Sequence, residues 1–325
     1  MITSKIVATG AEIPAQVITN DDLAKIVDTN DEWISQRTGI KERHISGGEN
    51  LSELATKAAK QILERANVDA KEIDLIIVAT VTADYGTPSA ACMVQKEIGA
   101  DNAVAFDITA ACSGFLFGLS VADKFIRCGV YRKALVIGGE VLSKIIDWTD
   151  RSTCVLFGDG AAGVLLERSE DEQGLVLEEL GSQGSGYEVL TEGYTPASNA
   201  FNDVEPLQKQ DCVYMDGREV FKFATKKIVS SVSHVMEKAG VTADDIKYFI
   251  PHQANARIVE VSAKKLKIPY EKFYMNIDRY GNTSAASIPI ALNEMNEKNL
   301  LQKGDKIILC GFGGGLTWGS VLINW

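Results

Sequence analysis

Two stretches of this 325-residue chain read as copies of one another. Val68-Asp69-Ala70-Lys71-Glu72-Ile73-Asp74-Leu75-Ile76-Ile77-Val78-Ala79 aligns with Val241-Thr242-Ala243-Asp244-Asp245-Ile246-Lys247-Tyr248-Phe249-Ile250-Pro251-His252. Each follows a helix-like segment carrying Ala-Thr-Lys, at Ala55-Thr56-Lys57 and Ala224-Thr225-Lys226. A second matched pair is Lys133-Ala134-Leu135-Val136-Ile137-Gly138 and Lys306-Ile307-Ile308-Leu309-Cys310-Gly311. Only two copies are visible, so this is a duplication and not a solenoid. Apolar strands alternating with helices imply sheets covered on both faces. Two such halves can stack as an α/β/α/β/α sandwich.

The spacing predicts a helix over 51–66, with Asn50 three residues ahead of Glu53 as a capping-box start. Strands follow at 75–81 and 104–108, then an apolar helix over 114–126 and a strand at 134–137. Gly158-Asp159-Gly160 marks a turn between two apolar runs. The second half repeats the order, with a helix over 223–238, a strand at 248–250 and a helix over 253–267. A strand at 273–277, a helix over 287–297 and strands at 307–310 and 316–323 complete it. Residues 181–212 break the pattern, being rich in Gly, Ser, Asn and Pro without periodicity. A loop of that length is either a binding loop or lid, or a tolerated surface insertion.

The net charge of −11 argues against a general binder of nucleic acid or anionic membrane. The first residues read directly as a strand, and the longest apolar run is too short to span a bilayer, so a cytoplasmic protein is expected. The six cysteines form no C-x-x-C pair, and none of the three histidines has a partner at metal-ligand spacing. Reduced thiols and no structural metal are expected.

Three residues at predicted strand ends carry candidate chemistry. Cys112, in Ala110-Ala111-Cys112-Ser113-Gly114-Phe115, precedes an apolar helix whose dipole is expected to lower the thiol pKa. The alternative is a buried Cys filling a gap. His252 ends a strand on the duplicated scaffold, where a satisfied core histidine is the plainer reading. Asn282 sits in Tyr280-Gly281-Asn282-Thr283-Ser284-Ala285-Ala286-Ser287, which by itself is only a turn signal. Residues at equivalent ends of duplicated units can converge on one crevice, as ligands do at the carboxyl ends of strands. Gly311-Phe312-Gly313-Gly314-Gly315, at the matching strand end, offers backbone N–H groups to an oxyanion or is simply a flexible turn.

With these segments in order, the chain resembles the β-ketoacyl-acyl-carrier-protein synthase III family, within the thiolase superfamily, over essentially its whole length. The resemblance also rests on Thr29-Asn30-Asp31-Glu32-Trp33-Ile34-Ser35-Gln36-Arg37-Thr38-Gly39-Ile40, on Pro251-His252-Gln253-Ala254-Asn255 and on the run from Gly311 to Gly319. It implies a thiolase-like duplicated five-layer α/β/α/β/α sandwich. Residues 1–170 form the half with the nucleophilic Cys, and 171–325 the half with His and Asn. It also implies a decarboxylative condensation of a short acyl-CoA with malonyl-acyl-carrier protein, starting fatty-acid synthesis.

Under that resemblance Cys112 carries the acyl group, and the N–H groups of Cys112 and Gly314 hold the oxyanion. His252 and Asn282 stabilise the enolate left when malonyl loses CO₂. Trp33 stacks on the CoA adenine, Thr29, Arg37 and Arg151 serve its nucleotide end, and Gly217, Phe221 and Asn255 line the pantetheine channel. Lys222, Gln253, Ala254, Asn255, Ala256, Arg257, Lys264 and Lys265 form the carrier-protein dock, although a solvated helix face explains the cations equally. Thr87 occupies a position that lines the acyl pocket in relatives, often from a partner subunit, and leaves straight and branched primers open. A homodimer is implied, and no cofactor, because acyl-CoA is a substrate.

The Cys…His…Asn order also fits a papain-like hydrolase. The local C-G-[SA]-C-[WY] signature of that family is missing, and the duplication has no place in its fold. A thiolase would need a second thiol as base, but Cys310 precedes Gly311-Phe312 and reads as core. An elongating synthase would carry a second histidine where Asn282 stands.

Overall fold

A computed structural model of the chain describes residues 2–171, 173–202 and 211–325. Two mixed sheets carry it. Strands β1 (Thr3–Glu12), β2 (Leu75–Ala79), β3 (Val104–Ile108), β4 (Lys133–Glu140) and β5 (Gly160–Ser169) form the first, in the order β1-β5-β4-β2-β3. Strands β6 (Gly174–Ser182), β7 (Ile246–Pro251), β8 (Lys306–Gly313) and β9 (Thr317–Asn324) form the second, in the order β7-β8-β9-β6. β2 is parallel to β3 and β4, while β5 is antiparallel to β4 and β1. β7 is likewise parallel to β8, and β9 antiparallel to β8 and β6. The duplication in sequence is therefore a duplication of topology, with β2, β4, β5 and β1 matching β7, β8, β9 and β6.

Side-chain alternation along each strand builds the layers. In β2, Leu75 and Ile77 face one core, and Ile76 and Val78 face another. In β8, Ile307 and Leu309 join Leu75 and Ile77, and Ile308 and Cys310 turn to the opposite side. The shared core between the sheets is filled by the Gly114–Arg127 and Ser287–Glu297 helices. Helices Leu51–Ala66 and Ala90–Ile98 cover the outer face of the first sheet. Helices Gly217–Ala239 and Ala256–Leu266 cover the outer face of the second. The result is the five-layer sandwich that the sequence predicts. Cys310 lies in the outer core of the second sheet, where burial pushes its thiol up to about 12.

Local chemistry sets the helix starts. Asn50 N–H donates to Glu53 Oε2 at 2.8 Å, completing the expected capping-box arm. The helix predicted from 223 begins at Gly217 instead, because Asp216 Oδ1 accepts from the Arg218 and Glu219 N–H groups at 3.0 and 3.1 Å. The helix predicted from 253 begins at Ala256, with Asn255 Oδ1 accepting from Arg257 N–H at 2.9 Å.

The strand predicted at 273–277 does not form. Phe273 makes an isolated bridge to Phe249, and Ile277–Tyr280 is a short helix. The reason lies in Asn276, whose N–H donates to Gln253 Oε1 at 3.1 Å and whose Nδ2 donates to Glu294 at 3.0 Å. These bonds draw the segment inward where a ladder would run. Of the irregular stretch 181–212, residues 203–210 lie outside the described residues. Leu190–Thr191 pairs with Tyr214–Met215 and forms a wall of the site described next.

Candidate active site

The strand ends of both halves open on one crevice. Cys112 lies in the tight turn Ala111–Ser113 between β3 and the Gly114–Arg127 helix. His252 follows β7, and Asn282 precedes the turn Ser284–Ala286 that leads into the Ser287–Glu297 helix. Cys112, His252 and Asn282 line a single cavity of about 300 Å³, so the structure brings all three together. A second cavity of about 370 Å³ reaches Cys112 from the other side, walled by Val81, Leu142, Ile145, Phe157, Leu190 and Thr317.

Each polar group is held in a defined state. His252 is buried, and burial drives its pKa down to about 3, so the ring is neutral. Its Nδ1 is 2.7 Å from Ser287 Oγ, while Nε2 has no partner among the described residues. Phe312 packs edge-on against the imidazole, centroids 5.2 Å apart. Asn282 Oδ1 accepts the Ser284 N–H at 2.9 Å. An N–H can only donate, so the atom facing it is the amide oxygen, and Nδ2 is left as the donor. The Asn282 backbone is fixed on both sides, its N–H donating to Leu156 C=O at 2.8 Å and its C=O accepting from Gly158 N–H at 3.0 Å.

The expectation of a lowered Cys112 pKa is corrected. Burial pushes the thiol up to about 12 from 9.0. Loss of water around the sulfur is the largest cause, opposed by a hydrogen bond from Ser284, and a helix dipole contributes only about 0.3–1 kcal/mol. Desolvation wins, and the resting group is the thiol.

Gly313 presses on the Cys112 turn. A Cβ added at Gly313 would stand 2.6 Å from Cys112 N and 3.1 Å from Ser113 N. Only a bare backbone leaves the Cys112 N–H clear on this side, while the Ser113 N–H already donates to Ala110 C=O at 3.1 Å. Gly314 borders the larger cavity beside Cys112. Thr317 Oγ1 donates to the carbonyl of either Ala110 or Gly314, each 3.1 Å away, tying the glycine run to the nucleophile turn.

Trp33, Arg37, Gly217, Phe221 and Asn255 line the smaller cavity as it opens outward. Arg37 and Arg151 stack on the Trp33 ring at 5.5 and 4.8 Å from its centroid. Thr29 does not line the cavity, and its buried hydroxyl has no hydrogen-bond partner among the described residues. Ala254 and Arg257 reach the rim, and Lys222, Lys264 and Lys265 are exposed beyond it, with Lys222 paired to Glu219 at 2.5 Å. Ala256 packs toward Gly39, where an added Cβ would approach it to 2.7 Å.

Gln253 is not a docking residue. It is 1% exposed, its Nε2 donating to the Pro251 and Tyr274 carbonyls and its Oε1 accepting from Asn276 N–H. Thr87 is exposed and lines neither cavity of the single chain.

Sequence reasoning missed Gly313, Phe312, Ser284 and Ser287 as individual contributors, although all sit in motifs it singled out. Among the described residues no group of three His, Cys, Asp or Glu side chains is placed to hold a metal ion, and no helix is long and apolar enough to cross a membrane.

Comparison with known proteins decides the family. Residues 106–184 match the 3-oxoacyl-[acyl-carrier-protein] synthase III family model, and residues 236–325 match the model of its C-terminal part. The beta-ketoacyl-[acyl-carrier-protein] synthase III of Clostridium novyi is 55% identical over 325 residues, covering 100% of both chains. This chain belongs to the 3-oxoacyl-[acyl-carrier-protein] synthase III family. The Clostridium acetobutylicum relative is 54% identical over 100% of this chain and 99% of its own. The crystal structure of the Aquifex aeolicus synthase III overlays with a TM-score of 0.92 at 48% identity, covering 99% of this chain and 100% of that one. A full-length match to this family leaves no room for the papain-like alternative.

Proposed function

We propose that this synthase condenses a short acyl-CoA primer with malonyl-acyl-carrier protein through an acyl-Cys112 intermediate, the first condensation of fatty-acid synthesis. The observation that carries this reading is the convergence of Cys112, His252 and Asn282 on one cavity, with Gly313 bare against the Cys112 N–H.

Acylation comes first. The Cys112 sulfur attacks the thioester carbon, its proton ultimately leaving with the CoA thiol. The Cys112 and Gly314 N–H groups receive the oxyanion, and the acyl chain enters the 370 Å³ cavity. Malonyl-acyl-carrier protein then loses CO₂, and the bonding electrons pass into a thioester enolate. Ser287 Oγ accepts the Gln253 N–H at 3.3 Å, and we assign its own hydrogen to His252 Nδ1. That assignment places the imidazole proton on Nε2. His252 Nε2–H and Asn282 Nδ2–H together donate to the enolate oxygen. The enolate carbon attacks the acyl carbon, the C–S bond to Cys112 breaks with its electrons left on sulfur, the thiolate takes a proton from water to restore the thiol, and β-ketoacyl-acyl-carrier protein leaves. Decarboxylation generates the carbanion, so neutral donors suffice and no cofactor is needed.

Trp33, Arg37 and Arg151 form the nucleotide end of the CoA site, with Gly217, Phe221 and Asn255 along the pantetheine. Thr29, with no place in the cavity wall, has no role in this reading. Lys222, Arg257, Lys264 and Lys265, with Ala254 and Ala256 between them, receive the acidic carrier protein. The halves divide at 170/171, and the enzyme acts in the cytoplasm. A homodimer is supported by β3, an edge strand whose Val104 is 49% exposed and whose Phe106 and Ile108 are half-buried.

The test is direct. Incubation with acetyl-CoA should release CoA and add an acetyl mass to the peptide bearing Cys112, and malonyl-acyl-carrier protein should then remove it with CO₂ release. Cys112→Ala should do neither while keeping its circular dichroism spectrum. Acetylation of a different residue, or undiminished acetylation of the variant, would refute the nucleophile.

A further inference from the structure

Glu140 ends β4 and is completely buried. A carboxylate removed from water needs its lone pairs met. Oε2 accepts from Thr82 Oγ1 at 2.5 Å and from Thr80 Oγ1 and the Val81 and Thr82 N–H groups at 3.1 Å each. Oε1 accepts from Ser284 Oγ at 3.2 Å. No cation pairs with it among the described residues, and burial pushes its carboxyl up to about 7. An apolar side chain here would leave the Thr80, Thr82 and Ser284 hydroxyls and the Val81 and Thr82 N–H groups without their acceptor. What the carboxylate does is tie two pieces of the site together.

The first piece is the Thr80–Val81–Thr82 turn leaving β2, whose Val81 lines the cavity beyond Cys112. The second is Ser284, a non-glycine residue held at φ +49°. Its hydroxyl reaches Glu140, and its backbone N–H orients Asn282 Oδ1. The left-handed backbone is strained for a serine, so an anchor on its side chain matters.

We propose that Glu140 is a positioning residue for the condensation, holding Ser284 in the turn that aims the Asn282 amide while fixing the Val81 wall of the acyl cavity. It makes no hydrogen bond to Cys112 or the glycine run, although its charge raises the Cys112 thiol pKa and Ser284 hydrogen-bonds that thiol. Its loss therefore falls more heavily on the malonyl half-reaction than on acylation. This rests on the function proposed above, so wild-type acylation and malonyl decarboxylation are measured first. If the wild type performs neither, that reading fails and not this one.

The variants are Glu140→Ala, Ser284→Ala, their double, and Glu140→Gln. Loss of a buried hydrogen-bond anchor should slow malonyl-acyl-carrier-protein decarboxylation about 10-fold in Glu140→Ala, with acyl-enzyme formation from acetyl-CoA within about 3-fold of wild type. Ser284→Ala should again lose more in decarboxylation than in acylation, which its contact with the Cys112 thiol also touches, and the double variant should decarboxylate no more slowly than Glu140→Ala, as expected for one shared interaction. Glu140→Gln should recover most of the rate, because the amide still bridges Ser284 and the Thr80–Thr82 turn. Equal loss in both half-reactions, an additive double variant, or a Ser284→Ala enzyme with normal decarboxylation would each overturn the proposal. If Glu140→Ala does not fold, Ser284→Ala and Glu140→Gln decide it by the same split.

Discussion

The two turns that lead into the central helices share one backbone and differ in chemistry. Ala111 opens the first at φ +46° and Ser284 the second at φ +49°, neither being glycine. Each begins a short 3₁₀ turn that runs into a central helix. The same offset along the sequence relates Ala79 to His252, Thr109 to Asn282, Cys112 to Ala285 and Glu140 to Gly313. Each turn also packs on the strand end of the opposite half, the first on β8 and the second on β4. At β8 that strand end offers Gly313, which leaves the Cys112 N–H bare. At β4 it offers Glu140, which grips Ser284. A duplicated scaffold thus supplies two equivalent turns, and single side chains separate the proposed nucleophile mount from the proposed enolate mount.

Substitutions at matched positions can break that comparison. The largest expected effect is at Gly313→Ala, whose Cβ would crowd the Cys112 N–H at 2.6 Å. Occluding an oxyanion donor should slow CoA release from acetyl-CoA by about 10²–10³-fold, measured in a single turnover. An unimpaired burst would remove Cys112 N–H from the mechanism. On the other side the close contact is made two residues earlier, at Gly138, the repeat partner of Gly311, where an added Cβ would lie 2.1 Å from Ala285 C=O. Overpacking against backbone should cost Gly138→Ala about 3 kcal/mol in urea unfolding. A stability change near zero would show that this turn can shift.

Asn282→Ala should lower malonyl decarboxylation about 100-fold while acylation changes little, the order expected for one lost donor to a developing anion. Equal loss in both steps would count against the division of labour between the turns. The smallest effect is a pH dependence. The folded-state pKa of His252, about 3, lies below the unfolded value of 6.5, so between these the unfolded chain binds more protons. Stability should therefore fall as pH drops from 6.5 toward 3, with about 2 kcal/mol lost from this group by pH 5. A His252→Asn variant should lose that part of the slope in paired denaturation curves at pH 7 and pH 5. An unchanged slope would mean that the imidazole is solvated.

Much of the scaffold is legible in the sequence because its signals are local. Alternation of apolar residues marks β2 and β8, and the 3.6-residue period marks the Leu51–Ala66 and Ser287–Glu297 helices. The predicted strand at 273–277 fails because Asn276 is drawn to Gln253 and Glu294, partners distant in sequence. Gln253 fails as a docking residue for the same kind of reason, since its neighbours in the chain say nothing of the carbonyls it meets. Cys112 is found as the candidate nucleophile, but its protonation state is not, because desolvation depends on everything packed around it.

The sequence by itself determines the repeat and most of the order of elements, and it marks Cys112, His252 and Asn282 as candidates. The elements follow from the periodicity and composition of short stretches of chain, and the three candidates are joined by the resemblance of the motifs around them. Tertiary structure alone decides that the two halves face each other with their turns crossed, that Gly313 lies against Cys112, and that Glu140 closes on Ser284. Those contacts join residues far apart in the chain, and only the packing of one sheet over the other through the central helices sets their distances.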